Sequence, residues 1–218
     1  VKRKSSLAAA LATGLLALAC GTKPPELPAI EWRIEMQPSK QGAYESLSVF
    51  ANVRDDNGPE DIDELWVVQD EARLAWRLTS ANWTKRTEGS DTWIGSAGLA
   101  LDSYQSLPRG DYRMMAIDAA GDRAERSFKV EGAFPDRPPP SVAIAGDKLS
   151  IRSSWPETLV LAFDAAGQLL ASKGAPQQAS GLDELFGTDI AAKTRELAAY
   201  GYDPAAHAGY YSRRIGTK

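Results

Sequence analysis

From residue 47 onward, apolar and polar side chains largely alternate. Leu47, Val49, Ala51 and Val53 take turns with Ser48, Asn52 and Arg54. A period of two puts neighbouring residues on opposite faces, so this segment predicts a half-buried strand. Asp55-Asp56-Asn57-Gly58-Pro59 breaks it. Residues 65–68 and 74–78 flank a polar turn and predict a hairpin. Thr92-Trp93-Ile94 starts another strand, with Gly95 and Gly98 as candidate bulges. Segments 113–118 and 124–130 close the series around Ala119-Ala120-Gly121. This rhythm of strands and turns predicts a β-sandwich over 29–132.

A run rich in proline, Phe134-Pro135-Asp136-Arg137-Pro138-Pro139-Pro140, then interrupts the pattern. Proline continues neither a ladder nor a helix interior, so 133–140 is expected to be a linker. Beyond it, segments 142–145, 148–153, 158–164 and 168–173 predict a smaller β-meander module over 141–218. Phe163-Asp164-Ala165-Ala166-Gly167-Gln168 repeats the turn chemistry of Ile117-Asp118-Ala119-Ala120-Gly121-Asp122. Residues 183–186 predict a short helical turn. From Thr188, a candidate N-cap, the residues Ile190, Lys193, Thr194, Leu197 and Ala198 recur at helical spacing. They predict one α-helix over about 189–200, stopping at Gly201. A last strand is expected from Tyr210 to Ile215. The expected fold class is therefore mainly β: a sandwich, then a meander with one helix across it.

The first twenty residues follow a different logic. Val1-Lys2-Arg3-Lys4 is a basic head, a mostly apolar run follows from Leu7 to Ala19, and Cys20 ends it. This is the build of a secretory signal peptide, 1–19, and the apolar run is too short to span a bilayer. Leu16-Ala17-Leu18-Ala19-Cys20 resembles the lipobox of bacterial lipoproteins, with Ala17 and Leu18 departing from its strict pattern. That resemblance implies cleavage between Ala19 and Cys20, lipid on Cys20, and a membrane as partner. Ala17-Leu18-Ala19 also suits ordinary signal peptidase, which would cut the same bond and leave a free thiol. Gly21, rather than Asp, after the cysteine implies the outer membrane under the enterobacterial sorting rule. Pro24, Pro25 and Pro28 favour polyproline II, so 20–28 forms a tether of roughly 25 Å at about 3.1 Å per residue.

A second resemblance lies in Gly110-Asp111-Tyr112-Arg113-Met114-Met115-Ala116-Ile117-Asp118-Ala119-Ala120-Gly121-Asp122. It is similar to the closing hairpin of bacterial immunoglobulin-like and fibronectin-III-like domains. The resemblance implies that Tyr112 is a tyrosine-corner residue. It implies a fold and no particular activity.

Composition narrows the function. The net charge is −4, and the signal removes Lys2, Arg3 and Lys4, so the exported chain is more acidic still. No basic stripe offers itself to nucleic acid. Cys20 is the single cysteine, so no intrachain disulfide is possible. The one histidine, His207, lies among alanines, and no Ser-His-Asp set or metal-ligand motif is visible. Neither cofactor nor metal is expected. Arg109-Gly110-Asp111 matches an integrin-type tripeptide but sits where a turn before the tyrosine corner is expected. The acidic run Asp55, Asp56, Glu60, Asp61, Asp63, Glu64 lacks EF-hand spacing around Gly58 and reads as a solvated loop. Asp61 and Asp63 are its candidate binding carboxylates. Among the six tryptophans, Trp83 lies outside any alternating segment and is the candidate for an exposed recognition residue.

The expected function is a non-enzymatic, membrane-anchored envelope lipoprotein with a protein partner. An adhesin or glycan-binding module using tryptophans is the alternative, and a carboxylate glycoside hydrolase the third. Replacing Cys20 with serine should move the protein from the detergent phase to the aqueous phase on Triton X-114 partitioning. Mass spectrometry of wild type should find acyl chains on Cys20, and an unmodified thiol there would end the lipoprotein reading.

Overall fold

The computed structural model describes residues 23–217. Ala19, Cys20 and the signal segment lie outside them. The first half holds β1 (Glu26–Ser39), β2 (Gly42–Arg54), β3 (Ile62–Gln69), β4 (Leu74–Leu78), β5 (Thr84–Glu88), β6 (Asp91–Leu99), β7 (Gly110–Asp118) and β8 (Arg123–Val130). The second holds β9 (Ser141–Ala145), β10 (Lys148–Arg152), β11 (Glu157–Phe163), β12 (Leu169–Gly174) and β13 (Ser180–Gly181). Two short helices follow, α1 (Leu182–Phe186) and α2 (Thr188–Lys193), then β14 (Glu196–Asp203), β15 (Ala208–Tyr211) and β16 (Ile215–Gly216). The fold is mainly β.

In the first half, strands in the order β1-β2-β6-β5 face a second sheet ordered β4-β3-β7-β8. Leu47, Val49 and Ile94 from one sheet meet Leu65, Val67, Met114 and Val130 from the other in one apolar core. Tyr112 lies buried near the start of β7, and its hydroxyl donates to the Pro108 carbonyl at 2.8 Å. Burial, eased by Arg109, pushes its pKa up to about 12. The sandwich starts earlier than position 29. Leu27 is buried in the core, and its carbonyl accepts from Arg126, so β1 takes over the end of the tether. Pro28 has no N–H to offer, and the β1–β2 register shifts between Glu26 and Ala29.

The helix expected over 189–200 is corrected. Helical geometry ends at Lys193, where the Thr194 hydroxyl donates to the Ile190 carbonyl, and Glu196–Asp203 is the strand β14. β14 pairs with β11 on one side and β15 on the other. Both of its faces are covered, so Leu197-Ala198-Ala199-Tyr200 shows no polar alternation and imitates a buried helix. Gly201 stops no helix. The Trp155 ring lies where its Cβ would be. The meander is also divided: β9 and β10 join β13 in a small separate sheet, which with α1 covers one face of β11 and β14. The two Asp-Ala-Ala-Gly turns do match. Asp118 and Asp164 each accept an amide from four residues on, at 2.8 and 2.9 Å, and Gly121 and Gly167 have φ of 89° and 77°.

One sheet runs through both halves. β15 lies parallel to β1, pairing Ile34 with Ala208, Glu35 with Gly209 and Met36 with Tyr210. The nine-stranded sheet therefore follows β12-β11-β14-β15-β1-β2-β6-β5, with β16 beside β14. The apolar cores of the halves stay distinct. The proline-rich segment is fastened across the join. Phe134 packs on Trp155 and Tyr210, the Trp155 indole donates to Pro138, and Arg137 donates to Ser154 and Asp203. A specific protease site inserted at 136–137 should therefore yield nicked halves that co-elute in native buffer and part only in denaturant. Halves that separate as folded fragments without denaturant would contradict this account of the join.

Candidate functional site

Strand parity sets which residues share the outer face of the long sheet. Glu35 pairs with Gly209, Gly209 with Tyr202, Tyr211 with Tyr200, Tyr200 with Leu159, and Ala198 with Leu161. Directly paired residues lie on one face, so this row crosses both halves. A cavity of about 600 Å³ opens on it, lined among others by Arg33, Leu161, Phe163, Leu169, Tyr200 and Tyr211. A second, of about 310 Å³, lies beyond Arg33 and includes Trp32, Phe50, Arg86, Tyr202 and His207. Arg33 borders both.

Glu35, two residues from Arg33 on the same strand, is 1% exposed. Arg33 meets one carboxylate oxygen at 3.1 Å, and the Tyr200 hydroxyl donates to the same oxygen at 3.1 Å. Gly209 makes this possible, since the Tyr200 ring occupies the space a Cβ would need there. Burial pushes the Glu35 carboxyl above the usual range, while Arg33, Tyr200 and Tyr211 pull it part of the way back. Burial and the Glu35 charge push the Tyr200 hydroxyl up as well. Nearby aromatics pack tightly: Tyr200 and Tyr211 lie 4.3 Å apart, and the Arg214 guanidinium sits 3.7 Å over the Phe163 ring. Leu169 is more than half exposed beside them. His207 is held at φ 47°, stacks on Trp32 at 4.7 Å, and its carbonyl accepts the Ile34 amide at 2.8 Å.

The residues singled out from sequence fall elsewhere. Trp83 is half-buried against the first core rather than exposed, because the chain turns inward before β5. None of the six tryptophans is exposed. Asp63 is exposed on β3, while Asp61 is half-buried just before it. Arg109 of the Arg-Gly-Asp tripeptide is committed inward. It holds the buried Glu45 carboxylate through two bonds of 2.9 Å and donates to Gly132. Glu35, Tyr200 and Tyr211 escaped sequence reading because they meet only through the β1–β15 pairing. The one available signal was the alternation of Ile30-Glu31-Trp32-Arg33-Ile34-Glu35-Met36, a strand with charges on one side.

Neither a protein-family model nor a curated protein sequence matches the chain. Among solved structures it is similar to Tp47, the 47-kilodalton lipoprotein of Treponema pallidum, at 11% identity and a TM-score of 0.46. That match covers 88% of this chain and 50% of Tp47. It is also similar to dimeric latent PorU from Porphyromonas gingivalis, at 16% identity and a TM-score of 0.35, over 88% of this chain and 20% of PorU. The chain thus spans half the length of the first and a fifth of the second.

The Glu35 carboxyl gives a pH test. A carboxyl with a higher pKa folded than unfolded holds its proton more tightly in the native state. Its contribution to stability therefore falls as pH rises from about 4.3 through the native value. Urea unfolding of wild type against Glu35→Gln should show wild type losing ground to the variant between pH 4 and 7. A difference that stays flat, or grows in favour of wild type, would contradict the burial assigned to Glu35.

Proposed function

We propose that the protein is a non-enzymatic envelope lipoprotein, anchored through Cys20, that docks a protein partner on the outer face of its long sheet. The observation that carries this reading is the open cavity floored by Leu159, Leu161, Phe163, Tyr200 and Tyr211 and edged by exposed Leu169. Tyrosine and arginine beside aliphatic surface are the side chains that dominate protein interfaces. Leu161, Phe163 and Tyr200 are themselves buried, and Leu169 is the large apolar side chain that this face leaves exposed to a partner. The signal-like head and lone cysteine supply the anchor. The strand order of the first half, with Tyr112 bonded to Pro108, supports an immunoglobulin-like sandwich as the display frame.

The competing classes gain less. No carboxylate lines the larger cavity, whereas glycoside hydrolysis wants two facing each other. Glu35 is engaged by Arg33 and Tyr200. Glycan binding by tryptophan would need exposed indoles.

A photo-crosslinking residue placed at Leu169 or Ser172 in living cells should give discrete protein adducts. The same residue at Arg123, exposed on the other sheet, should give none. Equal adducts at all three positions, or none at 169 and 172, would overturn the proposal.

A further inference from the structure

Two turns distant in sequence bring three carboxylates together at one end of the sandwich. Asp55 follows β2, Asp61 precedes β3, and Asp118 ends β7. Each offers an oxygen, and these oxygens lie within 4.8 Å of one another. Asp118 is 2% exposed. Its Oδ1 accepts the Asp122 amide of its own turn, while its Oδ2 is buried and accepts no hydrogen bond. Asp55 is arranged in the same way: Oδ1 accepts the Asn57 amide at 2.7 Å, and the buried Oδ2 has no partner. Asp61 accepts from the Asn57 side chain at 3.2 Å. Among the described residues, no lysine, arginine or histidine pairs with any of the three. Lys23 reaches Asp56 and Lys85 reaches Glu60, each one residue away from the cluster.

An unpaired buried carboxylate oxygen is costly, and neighbouring negative charges add to that cost. One oxygen each of Asp55 and Asp118 is taken up by its own turn, and the other is left buried without a partner in a residue of the cluster. We propose that Asp55, Asp61 and Asp118 hold a calcium ion, completed by water and backbone carbonyls. All three donors are hard oxygens, with no sulfur or imidazole among them, which suits calcium over zinc. Asp55 and Asp61 are half-buried, so water can reach the ion. The Asp164 turn is an internal contrast. Its local geometry is similar, but both of its amide bonds converge on one oxygen, and among the described residues it belongs to no group of three carboxylates.

The cation would tie the β2–β3 connection to the β7–β8 turn, where Ala119 already donates to the Asp61 carbonyl at 2.8 Å. The rival arrangement is an empty cluster whose carboxylates repel one another.

The full chain, stripped with EDTA, is melted in increasing calcium, with magnesium as comparison. For a site of about millimolar affinity, 10 mM calcium should raise the melting temperature by about 4 °C. Asp118→Asn keeps the acceptor for the Asp122 amide, and Asp61→Asn leaves the backbone bond to Ala119. Both should fold and lose that rise, and calorimetric titration should show affinity down at least tenfold. Asp63→Asn and Asp164→Asn should keep the full response. No rise in wild type would overturn the proposal, as would a rise that survives Asp61→Asn and Asp118→Asn. A calcium-independent gain in stability from Asp118→Asn, with wild type indifferent to calcium, would overturn it too, and would mark the cluster as carboxylates that only repel one another.

Discussion

The parallel pairing of β15 with β1 is the constraint on which the rest of the molecule depends. Without it, β1 would present a long open edge, with unpaired amides and carbonyls. With it, the Ile34–Met36 stretch of β1 becomes interior, and a sandwich and a smaller sheet share one surface. The pairing works because position 209 has no side chain. Tyr200 lies across Gly209 and reaches Glu35, which Arg33 meets from its own strand. The buried carboxylate is compensated by the Arg33 cation, the Tyr200 hydroxyl and the Gln37 side-chain amide, and losing a partner leaves it costly.

The two cores still differ in how they are held. The first is a sandwich closed by the Tyr112 corner and by the Arg109–Glu45 clamp. Glu45 also accepts the Leu107 amide at 2.9 Å, so one buried carboxylate orders the whole approach to β7. The second has a thinner cover, made of a small sheet and two short helices. It gains support from the first through Arg213, which donates to the Ser39 carbonyl, and through the packed prolines. Outer-face residues of the second half are thus held in position by contacts that the first half supplies.

Local chemistry was the legible part of this chain. The Gly-x-Tyr strand, the Asp-Ala-Ala-Gly turns and the alternation in β2, β3 and β7 all announce what they form, because each depends on neighbours in sequence. Three misreadings share one cause. Segment 196–203 lost its polar alternation because partners far along the chain cover both its faces. Trp83 was misplaced because its burial comes from a core built elsewhere. Asp118 was missed beside Asp61 because 56 residues of chain lie between two positions that the sheet brings together. The candidate face depends on pairing between residues as distant as 35 and 209, and nothing local marks that register. The Arg-Gly-Asp tripeptide is the converse case, a motif visible in sequence whose arginine is spent on Glu45.

The Ile34 amide reports on the join without ambiguity, since it donates to the His207 carbonyl across it. NMR-detected hydrogen exchange at that amide, compared with core amides such as those of Val49 and Leu65, tests the shared sheet directly. The account predicts that Ile34 exchanges as slowly as they do, by the same cooperative opening. Fast exchange at Ile34, with the core amides still protected, would mean that the halves part easily and that no continuous face exists.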